Sequence, residues 1–110
     1  MMKDATVFLA HILESAEQIE AYTKDLTKED FLRSPIVQDA VLRRFEIVGE
    51  ATKHLPKNFR EKFPDVPWSE IAGMRDIITH EYFGVDLELV WNTIKKDLPR
   101  LKKQLSAHSR

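Results

Sequence analysis

Apolar residues recur at intervals of three and four along most of this chain, a spacing that places them on one face of an α-helix. One such stretch follows Asp4, a residue suited to the N-cap, and carries Phe8, Leu9, Ile12, Ala16, Ile19 and Leu26. A second starts at Ser34-Pro35, where a capping serine precedes a proline suited to the first helical position, and ends before Pro56. The pattern therefore predicts two long helices in the first half of the chain.

The second half of the chain predicts two more helices. Residues 68–80 have helical periodicity, which Phe83-Gly84-Val85 interrupts. Asp86 is suited to cap the last helix, in which Pro99 is expected to introduce a kink. The apolar positions of this last helix are Leu87, Val90, Trp91, Ile94, Leu98, Leu101 and Leu105.

The connections between these helices are short. Thr27-Lys28-Glu29-Asp30 is a small capped segment, and residues 56–67, with three prolines, predict a loop with one short turn. Four amphipathic helices joined in this way favour an all-α fold, a four-helix up-and-down bundle with a short additional helix. A chain of 110 residues suits one core, so we expect residues 1–110 to form a single domain.

Composition narrows the classes of function. The chain has no cysteine, which excludes disulfides and thiolate metal sites. The N-terminal stretch has acidic residues and His11 among its apolar positions, so neither a signal peptide nor a membrane span is expected, and we expect a cytoplasmic protein. A formal net charge of −1 argues against a broad positive field, so any binding of nucleic acid should be local.

Candidate chemistry is concentrated in residues 73–84, where eight consecutive positions hold an arginine, an imidazole, two carboxylates and a phenol. On a helix, Asp76 and His80 lie only about 40° apart. Both point roughly opposite to the apolar sector of the same helix, formed by Ile71, Met74 and Ile78. Arg75 and Tyr82, seven positions apart, share the rim of the apolar face if the helix continues that far. The cluster should therefore border a surface.

These residue types suit the cleavage of RNA, which carries its own nucleophile in the ribose 2′-hydroxyl. His80 can accept the hydroxyl proton, and Arg75 can stabilise the charge that develops on the phosphate without a metal ion. Asp76, one turn before His80, is placed to orient the imidazole ring. The spacing alone does not show that these residues are catalytic, because charged residues on a helix face are commonly only solvated.

The run Arg75-x-x-x-x-His80-x-Tyr82 resembles the signature of the HepT-like group within the HEPN superfamily. Gly73-Met74 before it and residues 83–86 after it are similar to the same group. The resemblance also covers residues 42–51, similar to the second-helix segment of that family, and residues 90–99, similar to its last helix. Nearly the whole chain is included.

This resemblance implies a HEPN-like helical bundle that forms a homodimer, with the active sites near the subunit interface. It implies a metal-independent endoribonuclease toxin with Arg75 and His80 as the catalytic pair and Asp76 as the polar residue after the arginine. The expected partners are RNA and a minimal nucleotidyltransferase antitoxin, which attaches AMP to Tyr82. The alternative is a non-catalytic helical subunit that binds a nucleotidyltransferase and presents its substrate.

Three other groups of polar residues have open interpretations. His11, His54 and His108 show no metal-ligand spacing, so no metal and no cofactor is predicted. Arg43, Glu46 and Glu50 either line a catalytic cleft, lie at the dimer seam or form a solvated face. The only concentrated basic region is the candidate for contacts with the RNA backbone, or is likewise a solvated face; it consists of Lys95, Lys96, Arg100, Lys102 and Lys103.

Overall fold

Helices make up most of the structure, a computed structural model that describes residues 4–106. In chain order the helices are α1 (Ala5–Thr23), α2 (Lys28–Leu32), α3 (Pro35–His54), α4 (Lys57–Arg60), α5 (Trp68–His80), α6 (Leu87–Asn92) and α7 (Leu98–Ser106). A 3₁₀ turn, Tyr82–Gly84, follows α5, and a π turn, Thr93–Asp97, joins α6 to α7. No strand occurs within residues 4–106, which confirms the predicted all-α class.

The predicted helix starts are confirmed by their capping hydrogen bonds. The side chain of Asp4 accepts from the backbone N–H of Thr6 at 2.9 Å, and that of Ser34 accepts from the N–H of Val37 at 3.3 Å. Asp86 accepts from two backbone N–H groups at the start of α6. Each cap satisfies N–H groups that have no partner within the helix, so these residues fix where the helices begin.

The two short helices lie in the connections. Thr27 and Asp30 form a complete capping box at the start of α2, and the hydrogen bonds that Asp30 accepts from Thr27 lower the pKa of its carboxyl group. The connection after α3 contains α4 where one short turn was predicted. Its far end is held by Trp68, whose indole N–H points at the carbonyl oxygens of Arg60 and Phe63 at 3.1 and 3.2 Å.

The long helices pack around α3, which contacts both α1 and α5, while α7 lies against α1. Two groups of buried side chains form the core. One is centred on Phe31, whose ring packs against Trp91 with centroids 5.4 Å apart. The other contains Ile12, Val48 and Leu105. The faces buried in these clusters are the apolar stripes that predicted the helices. Within residues 4–106, no helix is both long and apolar enough to cross a membrane.

The last helical segment is continuous but irregular. The N–H of Leu98 donates to the carbonyl of Thr93, five residues earlier, as in a π turn. Pro99 follows at once, has no N–H to donate, and in a regular α-helix its ring would clash with the carbonyl four residues before it. The wider π turn lies directly before that proline and contains one extra residue, and the kink expected at Pro99 stays a prediction.

Candidate active site

Arg75 lies at a close contact between α5 and α3. A Cβ atom built on Gly49 of α3 would stand 2.2 Å from the Cβ of Arg75 and 3.3 Å from the carbonyl oxygen of Ile71. Real side chains do not approach this closely, so only glycine permits the contact at the present helix separation. Residues of both α3 and α5 therefore fix the position of Arg75.

Two carboxylates hold the guanidinium of Arg75. Its Nε lies 3.2 Å from Oε2 of Glu50, and its Nη1 donates to Oδ1 of Asp76 at 3.5 Å. The side chain remains 30% exposed. A guanidinium has five N–H donors, and these two contacts engage only its Nε and Nη1. Arg75 is thus fixed in direction while part of it still faces solvent.

Asp76 is oriented by a lysine of α3 instead of by the neighbouring histidine. Its Oδ1 accepts from Nζ of Lys53 at 2.5 Å. This hydrogen bond is the largest reason why the pKa of the Asp76 carboxyl is lowered; partial burial opposes the shift and Arg75 adds to it. Within residues 4–106, no hydrogen bond joins Asp76 to His80. In the described part of the chain, Oδ1 of Asp76 contacts Lys53 and Arg75, and the orientation of the imidazole by Asp76 stays a prediction.

His80 is the last residue of α5, and its side chain is exposed. It follows Arg75 by five residues, which corresponds to about 140° around a helix axis. The two side chains thus leave the helix in well-separated directions.

The helix does not continue to Tyr82, as a shared rim with Arg75 would require. α5 ends at His80, Glu81 departs from helical geometry with φ −129° and ψ 41°, and Tyr82 opens the 3₁₀ turn. The backbone of Tyr82 therefore lies just beyond the end of α5. The position of its phenol lies outside what the structure describes.

A groove of about 360 Å³ opens beside Arg75, along the face of α3 between α1 and α5. The expectation that Arg43, Glu46 and Glu50 line a cleft agrees with this groove, because all three side chains are part of its wall. The complete lining of this α1–α3 groove is Phe8, His11, Arg43, Glu46, Ile47, Glu50, Ala51, His54 and Arg75.

His11 and His54, considered in the sequence only as possible metal ligands, both line the groove. His54 follows Glu50 by one helical turn and lies with its Nε2 3.2 Å from the carboxylate oxygen Oε1. Its ring stacks on Phe8 of α1, with centroids 5.2 Å apart and planes inclined by 14°. His11 lines the groove from α1. Extending the stripe of Glu46 and Glu50 by one more turn would have found His54, whereas His108 lies outside the described residues.

The basic region of the last helix is not part of this groove. Nζ of Lys102 lies 2.6 Å from Oε1 of Glu20 on α1. Glu20 is nine residues from His11, about 180° around the axis of α1, so Lys102 lies across α1 from the groove. Lys95 lies over the ring of Trp91, 4.6 Å from its centroid.

The part of the chain between residues 4 and 106 holds no group of three or more His, Cys, Asp or Glu side chains placed to bind a metal ion. The polar groups of the groove instead pair with one another, Glu50 with Arg75 and with His54. The groove is therefore lined by two arginines, two glutamates, two histidines and the ring of Phe8, with Glu50 paired to Arg75 and His54.

Comparison with known proteins finds similarity along nearly the whole chain. The sequence profile of the family described as "Ribonuclease HepT-like" matches residues 12–108. The chain is 57% identical over 105 residues to the "Gamma-glutamylcyclotransferase and putative RNase" of Methanocaldococcus jannaschii, covering 96% of this chain but only 47% of that protein. It thus spans about half the length of that relative.

Two other relatives are similar in length to this chain. A "Putative RNase" of Caldanaerobacter subterraneus is 49% identical over 104 residues, covering 94% of this chain and 93% of that protein. The "Probable ribonuclease HepT" of Thermococcus cleftensis is 46% identical over 95 residues, 86% of each chain. No solved structure gives a significant match. The profile includes the whole segment from Arg75 to Tyr82, and on these similarities the chain belongs to the HepT-like ribonuclease family.

Proposed function

We propose that this protein is a metal-independent endoribonuclease, the toxin of a pair whose antitoxin is a minimal nucleotidyltransferase. The observation that carries the proposal is Arg75, a partly exposed guanidinium fixed by Glu50 and Asp76 at the edge of an open groove. The family match and the names of the relatives support a ribonuclease.

The proposed reaction is an attack of the ribose 2′-hydroxyl on the adjacent phosphorus. His80 takes the hydroxyl proton, the 2′-oxygen bonds to phosphorus to give a 2′,3′-cyclic phosphate, and the bond from phosphorus to the 5′-oxygen of the next nucleotide breaks. The leaving 5′-oxygen takes a proton from water, and His80 returns its proton to solvent. Arg75 donates hydrogen bonds to the phosphate oxygens as their charge increases. Lys53 and Asp76 act as positioning residues, because the carboxylate that Lys53 holds is one of the two that direct the guanidinium.

A homodimer follows from the directions of the two catalytic side chains. Arg75 and His80 diverge by about 140° on α5, so we infer that a second copy brings an imidazole to the arginine of the first. Exposed apolar side chains near His80 support a subunit interface at this surface, because Ile77 is 52% exposed and Phe83 is fully exposed. Contiguous exposed apolar patches are typical of interfaces.

The antitoxin is proposed to act on Tyr82 by attaching AMP to its phenol. The backbone of Tyr82 lies in the turn directly after His80, within two residues of the proposed base. An adenylyl group there adds bulk and negative charge next to the groups that receive the RNA phosphate. The unmodified protein is then the toxic form.

The experiment that tests the function compares induction of the wild-type chain with induction of His80→Ala in bacterial cells. Growth and the integrity of total RNA are followed in both cultures. We expect growth arrest with RNA cleavage for the wild type only, and cleavage of purified RNA that persists in EDTA. Since His80 is exposed, the variant should fold normally, which circular dichroism checks.

Equal growth and equally intact RNA in the two cultures would contradict the toxin assignment. Activity abolished by EDTA and restored by a divalent ion would contradict the metal-independent mechanism.

A further inference from the structure

We propose that the α1–α3 groove is a nucleobase subsite, in which one base of a single-stranded RNA stacks on the imidazole of His54 while Arg75 and Arg43 contact the adjoining phosphates. The proposal rests on the proposed function, in which RNA is the substrate, and it adds a second place where the protein contacts that RNA. The catalytic segment of α5 contributes only Arg75 to this groove, and the subsite itself is formed by α1 and α3.

The aromatic surface is already assembled in the unliganded chain. Phe8 covers one face of the His54 ring, with the planes inclined by only 14°. The side chain of His54 is nevertheless 56% exposed, so part of the ring remains accessible. A base stacked on the ring face opposite to Phe8 would extend the stack of two rings to three. Stacking of this kind accepts any base, because every base has a π-face.

A carboxylate holds this surface in place. Nε2 of His54 lies 3.2 Å from Glu50, and Glu50 also contacts Arg75 at 3.2 Å through its other oxygen. The stacking ring and the phosphate-binding cation are therefore linked through one carboxylate, by one hydrogen bond and one ion pair. That span suits a base and a phosphate of the same nucleotide, so a single nucleotide can reach both.

The arginines and the size of the groove favour the same occupant. Arg43 and Arg75 lie in the groove beside Glu46 and Glu50, and Arg43 is exposed on α3. Arginine binds phosphate oxygens with paired N–H donors. The volume of about 360 Å³ lies at the lower end of the range for small-molecule sites, which is the scale of one nucleotide. A base must be unpaired to stack on a side chain, so the substrate class is single-stranded RNA.

The test uses three versions of the full-length protein: wild type, His54→Leu and His54→Phe. Binding of a 2′-O-methyl hexanucleotide, which has no free nucleophile, is measured by fluorescence anisotropy, and cleavage of the unmodified hexanucleotide is measured in parallel. We expect His54→Leu to weaken binding on the order of 10- to 100-fold. His54→Phe keeps an aromatic surface and should bind within a few-fold of wild type.

Cleavage kinetics provide the second readout. Loss of a stacking contact should raise KM for His54→Leu and leave kcat nearly unchanged. Tyr22→Leu, which removes a partly exposed ring elsewhere on α1, is the matched control and should bind like wild type. Thermal unfolding of each variant shows that the fold is retained.

The outcomes separate the subsite from the proposed function. A wild type that binds the hexanucleotide in the expected pattern but never cleaves RNA overturns the nuclease proposal and supports the subsite. A wild type that cleaves RNA while His54→Leu keeps its Kd and KM overturns the subsite alone. Equal loss of binding in His54→Leu and His54→Phe also overturns it, because the imidazole would then act by charge or hydrogen bonding and not by stacking.

Discussion

Gly49 and Arg75 lie so close across the α3–α5 contact that a Cβ on the glycine would stand 2.2 Å from the Cβ of the arginine. Gly49→Ala should therefore push α5 away from α3 and cost about 1–3 kcal/mol of unfolding free energy, the usual range for overpacking. Because Arg75 moves with α5, RNA cleavage should fall as well. Chemical denaturation and a cleavage assay measure the two effects.

Gly73→Ala is the matched control for that variant. Gly73 lies in α5, and nothing comes within 4 Å of a Cβ built on it. Alanine has the higher helix propensity, so this change should stabilise the protein by about 1 kcal/mol. If Gly49→Ala were as stable and active as Gly73→Ala, the close approach would have no structural importance.

Arg75→Lys should reduce the rate of RNA cleavage on the order of 10² to 10³. Lysine keeps the positive charge but lacks the planar fork with which the guanidinium meets Glu50, Asp76 and a phosphate together. Arg33→Lys, at the end of α2, should leave the rate unchanged. Single-turnover cleavage of a short RNA measures both. A rate for Arg75→Lys within a few-fold of wild type would remove the arginine from the proposed mechanism.

The Lys53–Asp76 pair should make stability depend on acidic pH. The pKa of Asp76 is lowered in the folded protein, so the carboxylate stabilises the fold above its unfolded pKa of about 3.9, and this contribution is lost as the pH falls through the folded pKa. Asp76→Asn should therefore melt below wild type at neutral pH, and the two Tm values should converge in strong acid. A difference in Tm that stays constant from neutral to acidic pH would contradict this origin.

Ile77→Glu should produce a folded but inactive monomer. Ile77 is 52% exposed, so a carboxylate there is tolerated in one chain but would be buried at the proposed interface. Ser69→Glu adds the same charge to an exposed position in the first turn of α5, where carboxylates are favourable, and should remain dimeric. Light scattering and a cleavage assay test the pair. An active monomer would contradict the composite site.

Co-expression with the cognate nucleotidyltransferase should add AMP to Tyr82. Intact-mass and peptide mass spectrometry of the neutralised protein measure the addition, and Tyr82→Phe is the matched control because it removes only the phenolic oxygen. We expect Tyr82→Phe to resist modification and to stay toxic in the presence of the partner. Neutralised wild type with no adenylyl mass on this peptide would show that the antitoxin acts by binding alone.

The helices could be predicted from the sequence because their signals are local. Caps such as Ser34 and Asp86 act on backbone groups a few residues away, and the apolar spacing of each helix is a property of that helix alone. The segment around Arg75 and His80 could be found for the same reason, since its chemistry is concentrated in one short run.

The groove could not be predicted, because its parts come from distant places in the sequence. Phe8 meets His54 only when α1 packs on α3, and Gly49 meets Arg75 only when α5 packs on α3. The ion pair of Asp76 with a neighbouring helix could not be predicted for the same reason. Spacing within α5 pointed to His80, whereas the charged Lys53 on the neighbouring helix takes the carboxylate.

The π turn at Thr93–Asp97 holds one residue more than a regular α-helical turn would. Because the wider turn accommodates that residue, deleting one residue there would restore ordinary α-helical hydrogen bonding and leave the rest of the helix in phase. Leu101 and Leu105, both buried in the core, would still face α1. Chains of this family without the extra residue should therefore carry their C-terminal leucines one position earlier, so an alignment should open its gap before Pro99.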